Sequence, residues 1–298
     1  MLEVSGLCKT FSGKPALTDL SFKIQPGEIY GLLGHNGAGK STTLGIILGM
    51  VRADAGDVTI GGISVRAHRA KALRKVGAIF ESPAFYDYLS GWDNLRLLMS
   101  YSGGFDPVAA RATVELVGLT HRIHSKIRTY SHGMRQRLAL AQSLLPEPAV
   151  LLLDEPTDGL DPEGIKWFRE FILTLRQERG ITVLFNSHLL AEVELMCDRV
   201  AILRAGRRVF EGPLTGLHED AQTFEVELEP WAAVAPLVHA SGGEILGPNR
   251  IRLPHEADPA RLVEALVGAG VRVRAFAPIR RSLEDLYMEI LNDAPAPN

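Results

Sequence analysis

Cysteine, long apolar runs and surplus charge are all scarce in this chain of 298 residues. Its two cysteines, Cys8 and Cys197, cannot build a disulfide framework, and no Cys-x-x-Cys pair or histidine cluster has the spacing of a zinc site. The most apolar stretches, residues 44–51 and 149–153, fall far short of the ~20 residues that a bilayer-spanning helix needs. The opening MLEVSGLCKT lacks the charged, apolar and cleavage regions of a secretory leader. These absences predict a cytoplasmic protein, one that could serve a membrane only by docking onto a separate membrane protein. A formal net charge of only −3 also withholds the basicity with which proteins neutralise nucleic-acid phosphates, so no nucleic-acid partner is expected.

What is present is a globular balance, 46% hydrophobic and 22% charged, which excludes general disorder. The length is about twice the ~150-residue domain prior and predicts two domains. Across residues 2–212, strand-like runs at 28–33, 76–80, 150–153 and 181–185 alternate with helical patterns at 39–49, 132–145 and 162–179, the signature of an α/β fold. A nearly unbroken helical pattern between Ser90 and Ser143 predicts a helical insertion over about residues 88–145. The first domain is set at residues 1–215 and a second, accessory one at 216–293. The second reads as strand 224–228, helix 231–240, a hairpin of 244–246 and 251–253 turning at Gly247-Pro248-Asn249, helix 259–268 and strand 272–276. That βαββαβ order predicts a small ferredoxin-like α+β module, followed by an amphipathic helix at 282–291 and a frayed tail at 294–298.

Gly34, His35, Asn36, Gly37, Ala38, Gly39, Lys40 and Ser41 spell G-x-x-x-x-G-K-[ST] directly after an apolar run and ahead of a helix. Glycines let successive backbone N–H groups turn inward as an anion nest, and the helix aims its positive end at the same place. Lys40 would neutralise β- and γ-phosphate oxygens, Ser41 would ligand Mg²⁺, and Thr42 would add an α-phosphate contact. A second apolar strand ends in Asp154-Glu155. An aspartate there organises Mg²⁺, and Glu155 is placed to polarise a water attacking the γ-phosphate. No internal repeat is found, so the chain carries one nucleotide-binding core.

With these residues in hand, residues 1–215 resemble the nucleotide-binding subunit of ATP-binding cassette (ABC) transporters. The family's LSGGQ signature appears as Tyr130-Ser131-His132-Gly133-Met134-Arg135-Gln136, opening a helix. The resemblance implies that Ser131, His132, Gly133 and Gln136 meet the γ-phosphate held by another subunit, so that two chains sandwich two ATP molecules head to tail. Asp158-Gly159-Leu160-Asp161-Pro162 matches the family's D-loop, which crosses that interface, and Asp161 is assigned to it. His188, in Asn186-Ser187-His188, matches the histidine that senses the γ-phosphate. Phe11 occupies the aromatic position that stacks on adenine, with a core phenylalanine as the alternative.

One departure stands out. Glu81 occupies the position after strand 76–80 where the family usually has glutamine, and its charge is tolerable only beside the metal or with a raised pKa. This substitution and the GHNGAGK loop resemble the bacitracin-resistance and peptide-antibiotic immunity branch. Phe85, Tyr86, Tyr88 and Trp92 are read either as a groove for a short helix of a transmembrane partner or as ordinary packing of the helical insertion. The expectation is therefore an ATPase that uses ATP and Mg²⁺, with Glu155, His188 and Glu81 at the reacting centre. It would work with separately encoded permease subunits on the inner face of the membrane, as a homodimer or a paired cassette. A soluble ABC ATPase acting on ribosomes or DNA is the alternative. A GTPase is disfavoured because no Asn-Lys-x-Asp guanine motif occurs.

Overall fold

Residues 2–24 form an antiparallel pair that the α/β reading did not include. Strand β1 (Leu2–Phe11) turns at Ser12-Gly13, both at positive φ, into β2 (Lys14–Ile24). Positive φ at both turn residues matches the right-handed twist of the strands. Breaks in register between Val4 and Leu7, Leu7 and Lys9, and Lys9 and Thr10 disrupt the period-two pattern that would have announced the pair. Then come β3 (Ile29–Leu33), α1 (Lys40–Ile47), β4 (Ala55–Ile60), β5 (Ile63–Ser64) and α2 (Val65–Ala72). The first sheet runs β2-β1-β4-β5. The structure, a computed structural model, describes residues 1–215, 223–279 and 282–293.

A second sheet holds the site. Its members are β6 (Val76–Ile79), β7 (Val150–Asp154), β8 (Thr182–Asn186), β9 (Arg199–Arg204) and β10 (Arg207–Pro213), in the order β10-β9-β3-β8-β7-β6. The pairs β9/β3, β3/β8, β8/β7 and β7/β6 are parallel. All residues of β3 and β8 are buried, as strands covered on both faces must be. Between β6 and β7 lie α3 (Gly91–Ser100), α4 (Pro107–Leu116) and α5 (His132–Leu144); α6 (Pro162–Arg179) and α7 (Leu190–Met196) follow. Ser90, Asp106, Ser131 and Asp161 cap α3 to α6 with their side-chain oxygens. The insertion is less continuous than its sequence pattern, because turns at Gly103-Gly104 and Gly118 separate the helices, with a 3₁₀ turn at Ile127–Thr129. Among the described residues, no helix is long and apolar enough to cross a membrane.

The chain divides after Gly212, and Pro213–Asp293 is a second compact unit with its own core. It comprises β11 (Thr223–Glu229), α8 (Val234–Ala240), β12 (Glu244–Gly247), β13 (Arg250–Arg252), α9 (Pro259–Gly268), β14 (Arg272–Pro278) and α10 (Leu283–Asp293). Phe224, Val226 and Leu228 are buried while the glutamates between them are exposed, a half-covered strand's alternation. The antiparallel sheet runs β12-β13-β11-β14, the ferredoxin-like order. Gly247 belongs to β12, so the hairpin turn narrows to Pro248-Asn249. The tail expected to fray, 294–298, lies outside the described residues.

Candidate nucleotide site

The strands β3, β8, β7 and β6 are neighbours in one parallel sheet, and the sequence-predicted residues leave their carboxyl ends. The phosphate loop follows β3, His188 follows β8, Asp154 and Glu155 end β7, and Glu81 follows β6. Ligands of open parallel sheets bind at such an edge.

In the loop, Gly34 has φ +153°, and a Cβ there would lie 2.5 Å from the Leu203 carbonyl oxygen. Gly39 has φ +108°, and its Cβ would meet a Leu17 methyl at 2.6 Å. Both glycines are therefore required by space as well as by backbone conformation. No side chain caps the start of α1, which leaves that end to the loop. Lys40 is nearly buried, and its ammonium donates to the carbonyls of Gly34 at 2.6 Å and His35 at 3.4 Å. Burial pulls its pKa below the ordinary lysine value, opposed by the charges of Glu155 and Asp154. Ala38 is buried, Thr42 half-buried, and His35, Asn36, Gly37 and Ser41 are exposed.

At the end of β7, Asn186 donates its amide to the Asp154 carboxylate. Burial pushes the Asp154 carboxyl above the usual aspartate range. The Asn186 bond and Lys40 work against that shift, while Glu155 and Glu81 reinforce it. Glu81 is thus electrostatically part of this group. Glu155 holds a φ of +47°, rare for a residue with a side chain and found where surrounding structure enforces it. Its carboxylate accepts from the His188 backbone N–H at 3.0 Å and from Nδ1 of His188 at 2.8 Å. Nδ1 therefore carries a proton, and Nε2 remains on a side chain that is 58% exposed. Asn186 was not singled out from sequence; its position beside Ser187-His188 was the available signal.

Ser131 and His132 are exposed and Gly133 is half-buried; they line a cavity of about 540 Å³ together with Gly159, Leu160, Asp161 and Trp167. No residue of the phosphate loop lines it. The signature residues and the loop therefore form separate groups in one protomer. Asp161 accepts from the Gly164 N–H at 2.8 Å as the cap of α6.

The chain has known relatives. The ABC transporter family matches residues 17–158. An uncharacterised ABC transporter ATP-binding protein of Bacillus subtilis, YhcH, is 42% identical over 98% of this chain and 96% of its own. The bacitracin transport ATP-binding protein BcrA of Bacillus licheniformis is 32% identical over 98% and 97%. The chain belongs to the ATP-binding subunits of ABC transporters. Among solved structures, an ATP-binding subunit of an ABC transporter superposes with a TM-score of 0.66 at 31% identity, covering 73% of this chain and 92% of the other. The dimeric, post-hydrolysis cassette MJ0796 bound to ADP and Pi gives 0.65 at 25% identity, over 72% and 99%.

This ABC subunit is an ATPase coupled to transport, and the ribosome or DNA factor finds no support among these relatives. Two residue assignments change. Gln136 is only 1% exposed, with both amide atoms unpaired inside the protein, so it cannot reach a nucleotide on another subunit. Its place on the inward side of α5 decides this. Trp92 packs edge-on against Phe105 at 5.3 Å with the Arg111 guanidinium over its ring, so it serves the insertion's own packing. Tyr86 and Tyr88 are exposed at 43% and 68%, their rings edge to face. Buried Asn94 clamps Tyr86 by accepting from its N–H at 2.8 Å and donating to its carbonyl at 3.1 Å. Phe11 is 48% exposed at the end of β1 with the Lys9 ammonium over its ring, which overturns the core alternative.

Proposed function

We propose that two copies of this subunit, or one copy and a homologous cassette, close over ATP and Mg²⁺ to drive export of an antibiotic-like substrate. The convergence of Lys40, Asp154, Glu155, Glu81 and His188 at one sheet edge carries the chemical part of this reading. Lys40 and the loop N–H groups hold the β- and γ-phosphates, and Phe11 offers its exposed ring to adenine. Glu155, aimed by His188, accepts a hydrogen bond from the attacking water. The water oxygen bonds to the γ-phosphorus as the bond to the β-phosphate oxygen breaks. Nε2 of His188, on a largely exposed side chain, is offered to the γ-phosphate.

The donor set suits Mg²⁺, because the Ser41 hydroxyl and the Asp154 and Glu81 carboxylates are hard oxygen ligands. An ion held by these few ligands would share its shell with phosphate and water. Bound there, Mg²⁺ would spread the charge of the phosphates. The Ser131 group lines a cavity that no phosphate-loop residue reaches, which supports the reading that a second copy supplies it. Tyr86 and Tyr88 would receive the cytoplasmic helix of a separately encoded permease, holding the subunit on the inner face of the membrane. The substrate class rests on relatives named for bacitracin, lantibiotic and linearmycin. Glu155→Gln is expected to bind ATP and remain dimeric without hydrolysing it, seen as an earlier elution in sizing chromatography. Hydrolysis at the wild-type rate would assign the water to another residue.

A further inference from the structure

The signature turn departs from LSGGQ at its third position, where His132 replaces a glycine, and the structure gives that side chain a partner. Nε2 of His132 lies 2.8 Å from the carbonyl oxygen of Asp158. A carbonyl only accepts, so Nε2 carries the proton and donates it. The ring also rests against Gly159, where a Cβ would come within 3.3 Å of the same nitrogen and where φ is +70°. A histidine at 132 and a bare α-carbon at 159 thus fit together.

The loop beyond is otherwise held from its start and its end. Asp158 N–H donates to the Glu155 carbonyl and Leu160 N–H to that of Thr157, both at 3.2 Å, while Asp161 caps α6. The imidazole adds a fastening from the signature turn, which a glycine at 132 could not supply. We propose that His132 is a positioning residue that ties residues 158–161 to the signature turn within one protomer, so that both reach a second copy as one preformed face. This rests on the reading that two copies close over ATP. Ordering the loop beforehand removes part of the entropy that association would otherwise cost. It also gives His132 a role on its own subunit in place of a nucleotide contact across the interface.

The test uses the full chain carrying Glu155→Gln, with His132→Phe, which keeps bulk but cannot donate, and His132→Gln, whose amide nitrogen reaches a similar place. Loss of one such hydrogen bond is expected to raise the dimer dissociation constant about three- to tenfold. Sedimentation at saturating ATP should give that rise for Phe and recovery to within about twofold for Gln. In the nucleotide-free protein, amide exchange at residues 158–161 should accelerate for Phe and not for Gln. A Phe variant that dimerises and exchanges like its parent overturns the inference alone, as does a Gln variant that fails like Phe. A Glu155→Gln parent that stays monomeric with ATP brings down the two-copy reading and this inference with it.

Discussion

Glu81 and Cys197 illustrate how one side chain's surroundings set its chemistry. Burial raises the Asp154 pKa and Glu81 adds to that rise, so the charge of Glu81 is felt at the Asp154 carboxylate. Glu81→Gln keeps an oxygen for the metal and water and relieves that repulsion. It is expected to retain ATPase activity, whereas Glu81→Ala should lose at least about tenfold in kcat, a change of ~1.4 kcal/mol. Equal rates for the two variants would place the carboxylate away from the reaction. Cys197 is buried, and burial pushes its thiol well above the usual range, with Asp198 adding to the shift. A raised pKa removes thiolate at neutral pH, and the thiolate is the nucleophile. Native Cys197 should therefore resist iodoacetamide at neutral pH and react only when the protein unfolds, which mass spectrometry of the modified peptide measures. The phosphate loop was legible in sequence at this scale because its glycines and lysine act through local backbone geometry. Gln136 was not, since nothing local says which side of α5 faces inward.

Helices and strands carry the next level. Ser131 and Asp161 cap α5 and α6 with their side chains, and the helical patterns at 132–145 and 162–179 were legible because such caps and periodicity act over only a few residues. The pairing of β1 with β2 and β4 escaped, because its bulges interrupt alternation and β4 lies some way along the chain from β1. The aromatic stretch after Glu81 divides between two elements. Tyr86, held by Asn94, presents its ring to solvent, while Trp92 faces Phe105 within the insertion. Tyr86→Ala is expected to leave ATPase activity of the isolated subunit within about twofold and to reduce transport in reconstituted vesicles by more than about tenfold. Trp92→Ala should instead lower stability by ~1–3 kcal/mol, read as an earlier unfolding midpoint in denaturant. Transport surviving Tyr86→Ala would remove the tyrosine from the permease contact.

Over the whole molecule, all the candidate nucleotide-site residues lie in Met1–Gly212, and Pro213–Asp293 encloses its own apolar core. A chain ending at Gly212 is expected to bind ATP with an affinity within about threefold of the full chain, measured by fluorescence titration. Loss of binding with retained folding, checked by circular dichroism, would give the second unit a part in the site. The sequence alone determined the phosphate loop motif, the acidic strand end and the signature turn, because each is written in residues close along the chain and acts over a few ångströms. Only the tertiary structure decided that four neighbouring strands deliver Lys40, His188, Glu155 and Glu81 to one edge. It alone also turned Gln136 inward, set Trp92 against Phe105 and seated His132 on the Asp158 carbonyl. Those outcomes depend on which surfaces exclude water together, and burial is a property of distant residues meeting rather than of any one segment.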